Sequence, residues 1–157
     1  MNGPEFTRYL GIPYRFDNYP GVIGEESREV NCISLIHKIL RQEFWVNLPT
    51  GMWAREILED EELIFRTVQE GERTFIGDIF VFGKKDPGES PVFHLAFHTG
   101  QTDSRSDPLL LHATDLNGSR STIWPLRQFP TYPRYERLHA VKRLNPGLFR
   151  LTIAPLI

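Results

Sequence analysis

The chain contains a single cysteine, Cys32, in 157 residues. No disulfide can form within it, so the value of that thiol lies in packing or reactivity. Neither sign of charge is in excess: 18 basic against 20 acidic residues leave a formal net charge of −2. That balance gives no field to favour nucleic acid or an anionic membrane as partner. No apolar run approaches the length of about 18 residues that a membrane-spanning helix needs. The opening Met-Asn-Gly-Pro-Glu-Phe lacks a basic region followed by an apolar stretch, so no secretory signal is visible and the expectation is a cytoplasmic chain, with export by another route left open. One cysteine without a compact ligand pair gives no basis for structural zinc, and neither metal nor cofactor is expected.

What is present is ordinary globular composition, 40% hydrophobic and 24% charged, at a length that suits one domain spanning residues 1–157. Helical patterning dominates before about residue 70 and strand-like patterning after it, which predicts an α+β class. Tyr9 to Phe16 is short, aromatic and broken by Gly11 and Pro13, and 17–24 is loop-like. Asn31 suits an N-cap, and Cys32, Leu35, Ile36, Ile39 and Leu40 recur at helical spacing. A second helix is expected after Pro49-Thr50, capped by Thr50 and packing through Met52, Trp53, Ile57 and Leu58. The acidic run Glu59 to Glu62 reads as a solvated turn leading into Leu63 to Val68. Strands are predicted at 76–82, 92–98, 109–114, 121–125, 138–144 and 148–153, an antiparallel sheet of five or six strands with N-terminal helices packed on it.

The chemistry follows from three residues. Cys32 in the first helical turn meets the positive end of the helix dipole, which lowers a thiol pKa and favours the nucleophilic thiolate. In the 92–98 strand, alternation places His94, Ala96 and His98 on one face and Phe93, Leu95 and Phe97 on the other, with the aromatic face directed inward. If the Cys32 helix lies across the sheet, His94 reaches the thiol and His112, from the neighbouring strand, bonds the far imidazole nitrogen. Cys32 then attacks an amide carbonyl, His94 carries protons between thiol and leaving amine, and backbone N–H groups at the helix start hold the oxyanion.

The same residues fall in an ordered set of motifs. Gly11-Ile12-Pro13-Tyr14 resembles a G-x-P-Y segment, Asn31-Cys32-Ile33-Ser34 stands in place of D-C-S-G, and Leu48-Pro49-Thr50 is similar to an L-P-x-T stretch. Gly77 to Phe82 resembles G-D-L-V-F-F, His94 to Gly100 resembles H-V-G-I-Y-x-G, and His112-Ala113 matches the H-A pair that follows. In this order the chain resembles the NlpC/P60 family of papain-like cysteine peptidases over most of its length. The resemblance implies a papain-like α+β domain, Cys32 as nucleophile, His94 as base, His112 as third polar residue and Tyr14 as an active-site contact. It also implies a peptide substrate, with bacterial cell-wall (murein) peptides cleaved between D-γ-glutamate and a diamino acid as the default, and no cofactor.

Two departures bear on the substrate. Where the family carries Asp and Ser beside the nucleophile, associated with binding a free amine, this chain has Asn31 and Ile33. The amide removes a charge that would pair with an ammonium, and Ile33 removes a hydroxyl. Longer loops between Tyr14 and Cys32 and between His98 and His112 reshape the cleft as well. A thiol-dependent deamidase or acyltransferase is therefore the alternative, as is a non-catalytic binding module on the same scaffold. The plain readings compete residue by residue: Cys32 as a buried thiol, and His112 as a core histidine satisfied by a backbone bond. His98 is a rival base, but it stands ~13 Å along the strand from His94 and would move the site. His37 and His139 read as structural or exposed, Trp45, Trp53 and Trp124 as core or site residues, and Arg127, Arg134 and Arg137 as a solvated loop.

Overall fold

The structure is a computed structural model that describes residues 6–16, 29–61, 63–86, 88, 91–116 and 118–145. Helix α1 spans Cys32–Phe44 and begins as its sequence dictates. The Asn31 side chain accepts from the Ser34 backbone N–H at 2.8 Å while the Ser34 hydroxyl accepts from the Asn31 N–H at 2.9 Å. This reciprocal box satisfies two donors that a helix start leaves unpaired. Leu35, Ile39 and Leu40 have no exposed surface, and each contributes ~1.5–3 kcal/mol by burial. The helix ends at Trp45, which adopts a left-handed conformation with φ 60 and lets the Val46 N–H reach Leu40 O.

Helix α2 runs over Ala54–Glu59, later than the expected start at Thr50. Gly51 at φ 80 turns the chain first, and the Met52 N–H closes that turn onto Pro49 O. Trp53 takes the capping position, its N–H donating to the Glu56 carboxylate at 3.1 Å.

Six strands form one antiparallel sheet: β1 (Phe65–Thr67), β2 (Ile79–Gly83), β3 (His94–Thr102), β4 (Pro108–Thr114), β5 (Arg120–Pro125) and β6 (Arg137–Leu144), in the order β1-β6-β2-β3-β4-β5. The architecture is α+β, as the patterning predicts. β2 to β5 make the expected meander, and β6 returns to lie between β1 and β2. Two predicted strands start late. Gly77 at φ 93 holds a turn in front of β2, and β3 begins at His94 but continues to Thr102. The predicted strand at 148–153 lies outside the described residues.

Register assigns the faces. Ile79 pairs with Phe97, Val81 with Leu95, and Phe97 with Leu111; these residues pack with Leu35, Ile36 and Ile39 of α1. Phe80 pairs with Ala96, Phe82 with His94, and Leu110 with Trp124, so the histidine face is opposite α1. That face is itself a second core. Phe80, Phe82, Ala96, Leu110 and Trp124 are covered by Phe129 and Tyr135 from the 3-10 turns Leu126–Thr131 and Pro133–Tyr135. The Phe93, Leu95 and Phe97 face packs inward against α1 as expected, and the His94 face is covered as well.

Two buried polar anchors brace the sheet away from these cores. Lys142, with no exposed surface, donates to Leu58 O at 3.3 Å, Asp60 O at 2.6 Å and Thr67 Oγ1 at 2.9 Å. All three ammonium protons are thus used to tie the end of α2 to β1 and β6. Asp78 holds Arg143 through two bonds of 2.8 Å, so the aspartate of the Gly77-Asp78 motif serves the fold.

Candidate active site

The N-terminal segment brings Tyr14 to the start of α1. Gly11 N–H donates to Ser121 O and Tyr14 N–H to Ser119 O, each at 2.9 Å, while Val30 N–H returns to Pro13 O at 2.9 Å. Residues 11–15 are thereby laced to the beginning of β5 on one side and to Val30 on the other. Two residues after Val30 stands Cys32.

A cavity of about 820 Å³ opens beside it, lined among others by Tyr14, Cys32, Trp53, Phe93, His94 and Tyr135. Cys32 and His94 belong to opposite faces of the sheet, and both line this cavity at the end where β3 begins. Helix α1 packs on the face opposite the histidines, so the thiol and the imidazole share the cavity at the strand end and not across a helix laid over the histidine face. The main-chain N–H groups of Leu95, Ile33 and Cys32 itself lie near enough to the sulfur to favour its charged form.

His94 Nε2 and His112 Nδ1 lie 2.8 Å apart in a buried hydrogen bond. The two imidazoles stand nearly perpendicular, at 85°. With Nε2 engaged, Nδ1 is the His94 nitrogen left for a thiol or substrate. Tyr135 stacks on the His94 ring at 4.2 Å between centroids and 20° between planes. The Tyr135 hydroxyl is fixed in turn by Thr114 Oγ1 at 2.9 Å.

The Cys32 thiol and the two imidazoles rest uncharged. Burial pushes the Cys32 thiol up to about 11, against the smaller opposing pull of the three N–H groups. The expected lowering by the helix start is outweighed, because removing a thiolate from water costs more than these dipoles return. Burial, then the nearby Arg134 charge, brings His94 down to about 3. His112 lies well below its ordinary value for the same first reason, with His94 adding to it. Burial, and then Cys32, Asp115 and Tyr135, raise the Tyr14 phenol to about 12, so its hydroxyl is a donor throughout the physiological range.

Of the six residues singled out by sequence, all but His112 line the cavity; His112 stands behind His94. Asn31 and Ile33 are committed elsewhere. The Asn31 amide bonds Ser34 N–H and, through Nδ2, Phe16 O at 3.0 Å, and Ile33 is 1% exposed in the core under the sheet. His98 is buried and accepts from Gly100 N–H, and His37 bonds Met52 O. Sequence reasoning missed Tyr135, Arg134, Asp115 and Lys84. Arg134 and Tyr135 belong to a Pro-rich turn that reads as a surface connection, and only the fold carries it over the histidines. Asp115 pairs with Arg134 at 2.8 Å. Among the described residues, no three His, Cys, Asp or Glu side chains are grouped to hold a metal ion, and no helix is long and apolar enough to cross a membrane.

No family model matches the chain, and no curated protein matches it.

Proposed function

We propose that this chain is a cysteine hydrolase of the papain-like NlpC/P60 kind, acting on peptide-like amide bonds through a thioester. One observation carries the proposal: a buried His94–His112 hydrogen bond of 2.8 Å backs an imidazole that opens, with Cys32, onto a single cavity. A nucleophile, a base and a group orienting the base are the parts that thiol acyl transfer requires.

The chemistry begins from neutral partners. As Cys32 Sγ attacks the carbonyl carbon, its proton passes to His94 Nδ1, so the two charges appear together and offset each other's burial cost. Negative charge gathers on the carbonyl oxygen. The candidate donors to it are the Tyr14 hydroxyl and the N–H groups of Cys32 and Ile33. Collapse of the tetrahedral adduct breaks the C–N bond, the His94 proton goes to the leaving amine, and a thioester remains. Water then loses a proton to His94 while attacking the thioester, and the thiol leaves with that proton restored.

Murein peptides are the first substrates to test, through the motif resemblance. The lining sets their form: Tyr14, Trp53, Val92, Phe93 and Tyr135 offer apolar surface, and Lys84 and Arg134 add positive charge. The test incubates the purified chain, with Cys32→Ala and His94→Ala variants, with murein tripeptide and tetrapeptide and identifies products by mass. Cleavage lost in both variants supports the reading, and activity retained without the thiol overturns it. Products carrying a new acyl acceptor in place of water point to transferase chemistry.

The uncharged resting pair favours a second reading, a binding module on the same scaffold. It predicts tight ligand capture by wild type and Cys32→Ala alike, with no product formed.

A further inference from the structure

We propose that Trp124 and Phe129 are positioning residues: their rings pack against the buried His112 imidazole and hold its proton on Nε2, which makes His94 the donor between the two imidazoles. His94 Nδ1 is then left bare and basic. The consequence for catalysis rests on the hydrolase reading above, whereas the proton positions stand or fall without any substrate.

The argument starts from counting protons. A 2.8 Å contact between two ring nitrogens needs one N–H and one lone pair, and each neutral imidazole has one of each. If His94 Nε2–H donates, His112 carries its proton on Nε2 and His94 Nδ1 is a free lone pair. If His112 Nδ1–H donates, His112 Nε2 is the bare nitrogen, and His94 Nδ1 carries a proton and cannot take one from Cys32. The two arrangements differ at both ends of the pair, so whatever decides His112 Nε2 decides whether His94 can act as a base.

His112 Nε2 has unusual surroundings. It is the buried side-chain nitrogen without a hydrogen-bond partner among the described residues, on a residue with no exposed surface. Two aromatic rings pack against the same imidazole. Trp124 lies 4.2 Å from the imidazole centroid at 63° to its plane, and Phe129 lies 4.7 Å away at 56°. Both rings are packed in turn: Trp124 stacks on Tyr132 at 5.0 Å and 14°, and Phe129 stacks on Phe82 at 4.4 Å and 2°. Aromatic faces are electron-rich, so an N–H edge is attracted to them and a nitrogen lone pair is repelled. Protonation of Nε2 therefore gives the orphan atom a partner of a kind, and deprotonation gives it none. Burial keeps both imidazoles neutral, consistent with this count.

The test is the two-bond proton–nitrogen spectrum of the ¹⁵N-labelled wild-type chain at neutral pH, which distinguishes a protonated ring nitrogen from a bare one at each histidine. The expected result is a protonated Nε2 and a bare Nδ1 at both His112 and His94. A proton on His112 Nδ1, or a doubly protonated His112, overturns the proposal. Causation is read from Trp124→Phe, which keeps a ring face and is expected to keep the wild-type pattern, and from Trp124→Leu and Phe129→Leu, which are expected to mix the two tautomers and lower kcat about 10-fold. A folded leucine variant with an unchanged pattern also overturns it. The expected proton pattern in a chain that cleaves no amide leaves the role of the two rings standing and removes the hydrolase reading instead.

Discussion

Tyr135 lies almost parallel on the His94 imidazole, 4.2 Å between centroids and 20° between planes. The stack fixes one face of the ring, and the bond to His112 fixes its far nitrogen, so the imidazole has a single orientation toward the cavity. Replacing Tyr135 by Ala frees the ring to tilt, and under the proposed hydrolase chemistry a base misplaced in this way costs ~100-fold in rate. Tyr135→Phe retains the stack and loses only the hydroxyl bond to Thr114, for which a loss of about 10-fold or less is expected. Measuring kcat for both variants checks this. Equal losses would assign the role to the hydroxyl.

The thiol makes a prediction of opposite sense to the one its place at a helix start suggests. With burial holding it up to about 11, Cys32 is almost wholly protonated at pH 7, and alkylation by iodoacetamide should be slower than for an unfolded thiol. The rate should climb steadily into the alkaline range. A rate that instead levels off at or below pH 7 would show a charged thiolate–imidazolium pair already formed in the resting chain.

The start of α1, the α+β class and the alternation that puts His94 and His98 on one face were legible because each depends on neighbours in sequence. Asn31 followed three residues later by Ser34 is a local capping signal, and a period of two along 94–98 is a local strand signal. What was not legible depends on distance. Nothing near His94 announces that Phe129 and Tyr135, some 35 to 41 residues on, close over it. The helix dipole at Cys32 could be read from its position, but the burial that outweighs it is a property of the folded cavity. The start of α2 moved because Gly51 accepts a positive φ, a freedom that the apolar pattern of Met52, Trp53 and Ile57 does not reveal.

The buried histidines make the fold acid-sensitive. Burial lowers His37, His94, His98 and His112 below their ordinary value of 6.5. The unfolded chain therefore binds more protons below that value, and stability present above pH 6.5 is lost as pH falls toward the lowered values. Each histidine contributes at most ~1.4 kcal/mol per pH unit over that window. Urea midpoints at pH 7.5, 6 and 5 should decline in that order, before the carboxylates titrate. A midpoint that stays level down to pH 5 would mean that the four imidazoles are already solvated.

Charge at the cavity sets the last expectation. Asp115, its lining carboxylate, is paired with Arg134 at 2.8 Å, and the Asn31 amide, where a free-amine site would carry a carboxylate, is bonded to Ser34 and Phe16. Lys84 stands at the same rim, exposed, and among the described residues no ion pair engages its ammonium. A substrate ammonium meets a net positive field there, and a substrate carboxylate meets an attractive one. Partly solvated contacts of this kind are worth up to ~1 kcal/mol, or about fivefold. Of two peptides differing only in N-terminal acetylation, the acetylated one should show the higher kcat/KM, and Lys84→Met should narrow the gap. Asn31→Asp should reverse it, because a carboxylate beside Cys32 supplies the partner that an ammonium needs. Preference of the unaltered chain for the free amine would mean that Asp115 leaves Arg134 to receive it.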